Sequence, residues 1–190
     1  MLIDEFRKRF SPHLEKTIRW QAFNYLAENL LAKNGQIWIG ETGSLRHLDS
    51  WATDGNSTIV WDWLCMKTGG RGFSVDIEPY ASEMVQEHCK HITPFNMDST
   101  LLLASPKVGI ERLDLLYLDS YDFAPPFADS KLHHAAELAI CYPRLKSGCF
   151  IAVDDCHTKD HGKHSYIKLF FEELGIKPDI ESYVHVWRKP

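Results

Sequence analysis

The chain has 190 residues, of which 44% are hydrophobic, and its formal net charge is −5. This length predicts one domain over residues 1–190, and the negative charge disfavours nucleic acid and acidic membranes as partners. No stretch approaches the ~20 apolar residues of a membrane span, and the charged first ten residues do not resemble a signal peptide. The five cysteines have no paired spacing, which favours reduced thiols and a cytoplasmic protein.

The first predicted helix begins at Ser11-Pro12, because serine caps helices and proline suits the first helical position. Apolar residues then recur every four positions, at Leu14, Ile18, Ala22, Leu26 and Leu30. Asn34-Gly35 is the predicted end of this helix. We expect residues 1–35 to form a leading helix that lies over the sheet or over a ligand, and residues 36–190 to form a cofactor-binding core.

A strand-helix-strand pattern follows the leading helix. The apolar run Ile37–Gly40 predicts a strand, a helix is predicted from Ser57-Thr58 to Gly69-Gly70, and the second strand, Gly72–Val75, stops at Asp76. A glycine after the first strand lets a ligand approach the backbone, and an acid after the second can accept from ribose hydroxyls. The pattern therefore predicts a nucleoside site, with an ordinary strand-helix-strand unit and solvated acids as the alternative.

The connection from Leu45 to Asn56 is long, since strand-to-helix connections usually have ~2–6 residues. Long loops at the carboxyl ends of strands often cover ligands. We keep two interpretations for this loop, a lid or a surface excursion, and Trp51 is its residue best placed to cover a substrate.

Strands and helices alternate through the rest of the chain. The predicted elements are a helix from Pro79 to Lys90, a strand from Ile92 to Met97, a short helix from Leu101 to Ala104, a strand from Leu113 to Leu118, a helix from Ala128 to Tyr142, a strand from Phe150 to Val153, a helix from Ser165 to Leu174, and one or two edge strands within Ile180–Trp187. This order predicts an α/β fold: a doubly wound, mostly parallel Rossmann-like sheet with helices on both faces and an extra N-terminal helix. Such sheets bind ligands at the carboxyl ends of their strands.

Three aspartates follow the fourth and fifth predicted strands. Asp119 comes after the fourth, and Asp154 and Asp155 come after the fifth. Neighbouring strands lie ~4.8 Å apart, and carboxylates at that spacing repel one another unless a cation or a proton intervenes. Oxygen ligands favour Mg²⁺, Ca²⁺ or Mn²⁺ over zinc, so the pattern predicts a divalent-metal site. The alternative is that Asp119 contacts only the cofactor while Asp154 and Asp155 cap a turn.

Several histidines lie near these acids in sequence. His157, His161 and His164 follow the metal candidates, and an imidazole beside a metal-bound hydroxyl can act as a general base. Solvent exposure is the plainer interpretation, and a softer metal held by these histidines with an aspartate is another. For His133-His134 we expect helix packing or a pairing with Glu137.

Five segments together resemble the class I S-adenosylmethionine-dependent methyltransferases, and more closely the small-molecule O-methyltransferases of the catechol and macrocin type. They follow the five predicted parallel strands in order: Glu41-Thr42-Gly43, Val75-Asp76-Ile77-Glu78-Pro79, Met97-Asp98-Ser99, Leu118-Asp119-Ser120 and Val153-Asp154-Asp155. The resemblance implies S-adenosyl-L-methionine as cofactor. It also implies a divalent cation, with Mg²⁺ expected and Mn²⁺ or Ca²⁺ as alternatives.

The resemblance also implies roles for individual residues. The implied cofactor contacts are Glu41, Gly43 and Ser44 at the methionine moiety, Asp76 at the ribose, Ile77, Asp98 and Ser99 at the adenine, and Asp119. Asp119, Asp154 and Asp155 match the metal-binding acids of the catechol-type enzymes. There the metal holds a substrate hydroxyl, lowers its pKa and directs it at the methyl group.

Two departures from the family pattern stand out. The glycine-rich loop is interrupted by Leu45–Asn56, and Asp54, Ser57 and Thr58 are the residues expected to resume the cofactor contacts. The lysine base expected shortly after Asp119 is absent, and Asp122 stands there. We therefore take His157 as the candidate base.

The expected function is metal-assisted O-methylation of a small hydroxylated molecule, with that methyl acceptor as the partner. The sequence leaves a homodimer open. Three alternatives remain: a metal-independent methyltransferase with a histidine base, a nicotinamide-dependent oxidoreductase, and a non-catalytic nucleoside-binding module. The oxidoreductase is disfavoured because the intact glycine fingerprint is missing.

Overall fold

The computed structural model describes residues 1–33, 35–158 and 160–190. Its strands are β1 (Trp38–Thr42), β2 (Arg71–Asp76), β3 (Ile92–Asn96), β4 (Leu115–Leu118), β5 (Phe150–Val153) and β6 (His185–Arg188). They form one sheet in the order β3-β2-β1-β4-β5-β6. β1 to β5 are parallel, and β6 pairs with β5 in the antiparallel direction. The predicted doubly wound, mostly parallel Rossmann-like sheet is confirmed.

The helices cover both faces of this sheet. They are α1 (Leu2–Leu14), α2 (Trp20–Leu31), α3 (Ser57–Thr68), α4 (Pro79–His88), α5 (Ser99–Ala104), α6 (Phe127–Cys141) and α7 (Ser165–Glu173), with short 3₁₀ turns at Pro106–Val108 and Ile110–Arg112. In the described part of the chain, no helix combines the length and the apolar character that crossing a bilayer requires.

The predicted start of the leading helix at Ser11-Pro12 is wrong. Both residues lie inside α1, which begins at Leu2, and a second helix, α2, follows a turn. Phe6, Phe10 and Leu14 explain the difference, because they form a buried stripe at helical spacing that starts before the serine. Ile18 lies in the turn and is 57% exposed. The predicted helix end at Asn34 falls outside the described residues.

The core has two layers, and β4 shows why. Its side chains alternate, so that Leu115 and Tyr117 pack into the cluster that contains α1, α2 and α3, whereas Leu116 and Leu118 pack into the opposite cluster. All four residues are buried, as the continuous apolar run predicts for a strand in the middle of a parallel sheet. The last predicted stretch forms β6 and an isolated bridge between Ile180 and Val186.

The strand order determines where a ligand site is expected. From β1 the chain runs outward to β2 and β3, then returns to the other side of β1 with β4 and β5. The carboxyl ends of β1 and β4 therefore lie at the switch point, where sheets of this kind bind ligands.

Candidate functional site

Gly43 sits at the switch point and allows β1 and β4 to end close together. Its φ is +81°, and a Cβ added there would lie 2.5 Å from the backbone oxygen of Asp119. Only glycine combines this backbone conformation with such a close approach. Gly43 lines two cavities, which share Gly43, Arg46 and Asp122. We call the two cavities together the strand-end crevice.

The larger cavity measures about 560 Å³ and lies over the ends of β2 and β3. This volume is within the range of small-molecule sites, about 300–1,000 Å³. The structure brings together here the four residues predicted to contact adenosine: Asp76, Ile77, Asp98 and Ser99.

Asp76 is held in place by two backbone N–H groups. Its Oδ1 accepts from Glu78 N at 2.9 Å, and its Oδ2 accepts from Ser44 N at 3.0 Å. A carboxylate offers about four lone-pair positions, so further acceptor positions remain for ligand hydroxyls. The arrangement suits the predicted contact with a ribose.

Ser99 belongs to a buried network under the larger cavity. Its Oγ donates to Glu137 Oε1 at 2.5 Å, and His133 Nε2 lies 3.3 Å from the same oxygen, so the predicted pairing of His133 with Glu137 is confirmed. Burial by itself would raise the pKa of Glu137, but His133, His134 and Ser99 together lower it to about 2. Asp98 caps α5, since it accepts from Thr100 N at 2.8 Å.

The smaller cavity measures about 110 Å³ and lies at the ends of β1, β4 and β5. Seven residues predicted for the cofactor or the metal line it: Gly43, Ser44, Asp54, Ser57, Thr58, Asp119 and Asp155. The crevice therefore collects most of the predicted site residues at one edge of the sheet.

Glu41 lies beneath the cavity lining, where it anchors the start of α3. It accepts from Ser57 Oγ and Thr58 Oγ1, both at 2.6 Å, and it is fully buried. Burial raises the pKa of Glu41 to about 7, although these hydroxyl groups oppose the shift. Its predicted contact with the methionine moiety stays a prediction.

The three predicted metal ligands are close together, and each is met by a basic side chain. Lys163 Nζ lies 2.7 Å from Asp119 Oδ1 and 2.9 Å from Asp155 Oδ2. Asp154 is fully buried below the cavity, where its Oδ2 accepts from Arg19 Nε at 2.7 Å. Two cationic side chains of the protein thus relieve the repulsion that a divalent cation was predicted to relieve.

The pKa values of this group follow from these contacts. Burial would lower the pKa of Lys163, but Asp119 and Asp155 raise it. Burial would raise the pKa of Asp155, but Lys163, Tyr183 and Arg19 lower it to about 2. The ammonium and the Asp155 carboxylate are therefore both charged near neutral pH.

Lys163 reaches the aspartates because Gly162 allows the chain to fold back on β5. A Cβ on Gly162 would lie 2.5 Å from the backbone oxygen of Asp155 and 2.6 Å from Cys156 Cα. Lys163 N in turn donates to the backbone oxygen of Asp155 at 3.3 Å. Sequence reasoning missed Lys163. The one signal that could have pointed to a basic residue was the group of carboxylates, because their mutual repulsion must be offset by positive charge.

Arg19 was also missed, and it fixes the long loop. From the turn between α1 and α2, its guanidinium donates to the backbone oxygen of Thr53 at 2.5 Å as well as to Asp154. It stacks over the Tyr183 ring at 4.8 Å. Trp51, by contrast, packs on α1 through Phe10 and His13 rather than over the smaller cavity.

As arranged, the three aspartates do not fit a divalent cation. The Asp119 and Asp155 oxygens that face each other hold Lys163 between them. On Asp154, Oδ2 accepts from Arg19 and Tyr117, and Oδ1 accepts from Asp155 N. A metal bound between Asp119 and Asp155 would have to displace Lys163.

His157, the candidate base, is exposed and is not among the residues that line the strand-end crevice. Its ring stacks on Phe123 at 5.1 Å and meets the Tyr183 ring edge-on at 5.2 Å. Its catalytic role stays a prediction.

Asp122 lines both cavities and pairs with Arg46 at 3.1 Å.

A second cluster of possible metal ligands is buried beside β5 and β6. Donor atoms of Cys156, His164 and His185 lie within 4.8 Å of one another. Cys156 Sγ lies 3.2 Å from the backbone oxygen of Val153 and donates to it. Burial raises the pKa of the Cys156 thiol well above its usual value, which favours the neutral form.

No family model matches the chain, and a search of curated proteins finds no relative. Solved structures do match. The MycE methyltransferase from the mycinamycin biosynthetic pathway, in complex with Mg and S-adenosylhomocysteine, has a TM-score of 0.66 at 15% identity, over 98% of this chain and 54% of MycE. The chain thus spans about half the length of MycE.

Two further matches cover more of the known protein. The O-methyltransferase NovP has a TM-score of 0.58 at 12% identity, over 90% of this chain and 79% of NovP. The N-methyltransferase NodS from Bradyrhizobium japonicum WM9 has a TM-score of 0.54 at 12% identity, over 91% of this chain and 97% of NodS. The chain has the fold of the class I S-adenosylmethionine-dependent methyltransferases, as the resemblance predicts. The neighbours include both O- and N-methyltransferases, so the fold leaves the acceptor atom open.

Proposed function

We propose that this chain binds S-adenosyl-L-methionine and transfers its methyl group to a hydroxyl group of a small molecule. One observation carries the proposal. A single crevice at the switch point joins the residues suited to adenosine, such as Asp76 and Ser99, to a charged cavity that contains Asp119.

The larger cavity would hold the adenosine half of the cofactor. Asp76 would accept from the ribose hydroxyls, and the exposed side chain of Ile77 would flank the adenine. Ser44 and Asp54, which line the smaller cavity, would hold the methionine end. When bound, the cofactor supplies an electrophilic methyl group on a sulfonium centre, so the protein contributes mainly position and electrostatics.

The acceptor would enter at the smaller cavity. Asp119, Asp155, Lys163 and Arg19 line it, and such charged groups can orient a hydroxyl group through hydrogen bonds. Asp122 and His157 are the two candidate bases. Asp122 lines the crevice and stands where the catechol-type enzymes are expected to have a lysine. Among the neighbours, MycE in complex with mycinamycin VI provides the analogy for a small-molecule acceptor, and NovP provides the analogy for transfer to oxygen.

Metal assistance is the second candidate for acceptor activation. It is favoured by the convergence of three aspartates at the strand ends and by the Mg in the MycE complex. In that version Asp119, Asp154 and Asp155 would have to release their basic partners before a cation could bind. Loss of turnover on chelation would favour this candidate over the metal-free one.

The proposal extends to the compartment and the partners of the protein. We place the protein in the cytoplasm because all five cysteines are free and buried, as is usual under reducing conditions. Whether the chain forms a homodimer is left open. The net charge of −5 argues against nucleic acid as a partner.

Calorimetric titration with S-adenosylhomocysteine tests the cofactor assignment. Asp76→Asn removes the charge that would hold the ribose, and charged hydrogen bonds contribute roughly 1.5–3 kcal/mol. We expect affinity to fall about 10- to 100-fold. Glu87→Gln, which changes a carboxylate on the exposed face of α4, is the matched control and should bind as the wild type does.

Other outcomes separate the rivals. Binding of NAD without binding of S-adenosylhomocysteine would identify an oxidoreductase instead. Tight binding of S-adenosylhomocysteine without methyl transfer to any of a panel of hydroxylated acceptors would favour a non-catalytic module.

A further inference from the structure

Lys163 occupies a position that resembles that of a bound cation. Its side chain is only 1% exposed. Its Nζ lies 2.7 Å from Asp119 Oδ1, 3.2 Å from the Asp119 backbone oxygen and 2.9 Å from Asp155 Oδ2. An ammonium has three N–H donors, so these three oxygens satisfy it completely.

Two basic side chains also supply the positive charge that a metal would bring. Lys163 and Arg19 add two positive charges to the cluster of Asp119, Asp154 and Asp155. One divalent cation placed among the same aspartates, without the two basic side chains, would leave the same net charge. A divalent cation added to the present arrangement would instead lie beside an ammonium and be repelled by it.

We propose that Lys163 takes the place of a divalent cation in the strand-end crevice, so that the protein binds its cofactor and acts on its acceptor without a bound metal. This inference rests on the proposed methyl transfer. Lys163 acts as a positioning residue: it holds Asp119 and Asp155 at a fixed separation and presents positive charge to the cavity where the acceptor oxygen enters. Arg19 supplies the second positive charge and fixes Asp154 below.

The proposal predicts that removal of the ammonium creates a metal site. Lys163→Met keeps the length of the side chain but leaves Asp119 and Asp155 facing each other without a cation. Two such carboxylates favour a divalent cation or a proton. We expect the variant to bind Mn²⁺ at least ~10-fold more tightly than the wild type, because an adjacent like charge is gone.

The measurement is Mn²⁺ binding followed by electron paramagnetic resonance, with Mg²⁺ competition, on metal-stripped protein. Lys146→Met is the matched control. Lys146 pairs with a different aspartate, Asp114, at 2.8 Å, outside the crevice, and its loss should create no Mn²⁺ site. Addition of Asp155→Asn to Lys163→Met should abolish the new site.

A measurement on the wild-type protein tests the proposal even if the Lys163→Met variant does not fold. We expect that metal-stripped wild-type protein does not bind Mn²⁺ at Asp155, so the Asp155→Asn substitution should leave its Mn²⁺ binding unchanged. We also expect the wild type to bind S-adenosylhomocysteine equally well with and without EDTA. A wild-type Mn²⁺ site that Asp155→Asn removes would overturn the inference. So would a folded Lys163→Met variant that gains no affinity for Mn²⁺.

Failure of the proposed function looks different. If the wild type binds no S-adenosylhomocysteine under any condition, the methyltransferase proposal fails, while Mn²⁺ binding still reports what lies between the aspartates. If methyl transfer to an acceptor is found, it should survive chelation in the wild type. Loss of that activity on chelation, with recovery on Mg²⁺ addition, would overturn the role of Lys163.

Discussion

The ion pair of Arg19 and Asp154 permits a quantitative test of how the acidic cluster is held. Both side chains are almost fully buried, with 4% and 0% of their surface exposed, and Nε lies 2.7 Å from Oδ2. Asp154→Asn keeps the shape of the side chain and removes its charge, so the guanidinium is left in the interior without its main counter-ion. Breaking a buried pair in this way typically costs ~3–5 kcal/mol of folding free energy.

The surroundings set the expected value within that range. Arg19 keeps a hydrogen bond to Thr53 O at 2.5 Å, a longer contact with Asp155 Oδ1 at 3.4 Å and the face of the Tyr183 ring at 4.8 Å. These partial substitutes for the lost carboxylate place our expectation at the lower end, about 3 kcal/mol.

Equilibrium unfolding in urea, with EDTA present throughout, measures this loss. Asp122→Asn is the control, because Asp122 is 75% exposed and its pair with Arg46 should contribute less than ~1 kcal/mol. The double variant Arg19→Met, Asp154→Leu removes both charges and should recover a large part of the loss, since apolar replacements of buried pairs are often close to neutral. A loss below ~1 kcal/mol for Asp154→Asn in EDTA would refute the reasoning, as would a loss found only in a parallel series with Mg²⁺ in place of EDTA.

Two further predictions concern the end of β1. Gly43→Ala should unfold at a lower urea concentration than Gly148→Ala and should bind S-adenosylhomocysteine more weakly. Both glycines have positive φ, but only the Cβ at position 43 would meet backbone, 2.5 Å from Asp119 O, so equal losses would contradict the packing argument. Glu41→Gln should flatten the pH dependence of stability. Folded Glu41 keeps its proton up to a pKa of about 7, against 4.5 unfolded, so wild-type stability should fall by up to ~3 kcal/mol as pH rises through that interval. Urea unfolding at pH 5 and pH 8 measures the change in stability with pH. If Glu41→Gln loses as much stability between these two pH values as the wild type does, the raised pKa of Glu41 is not its cause.

Much of the crevice could be predicted because it depends on local patterns. β5 begins and ends where the apolar run Phe150–Val153 does, and Asp76 ends β2 as predicted. In a parallel sheet, the residues that follow the strands meet at one edge, so the acids could be grouped without knowledge of any contact. Asp76, Asp98, Asp119 and Asp155 all line the crevice accordingly.

Predictions about the surroundings of individual side chains were less successful. Apolar residues at four-residue spacing predicted one leading helix, but a turn at Ile18 separates α1 from α2, since periodicity does not show where a helix stops when no glycine marks the end. Glu41 was predicted to follow the first strand but lies inside β1, and Asp154 follows β5 as expected. Both side chains are buried below the crevice. The side-chain direction at a strand end depends on which neighbours pack there.

The sequence by itself determined the sheet, the switch point and the edge at which the acidic residues gather, because strand and helix periodicities are properties of neighbouring residues. Only the tertiary structure decided which cations meet those acids. Arg19 and Asp154 are separated by 135 positions, and Lys163 and Asp119 by 44. Such pairs form only when the chain has folded, since no local pattern encodes a contact between residues so far apart.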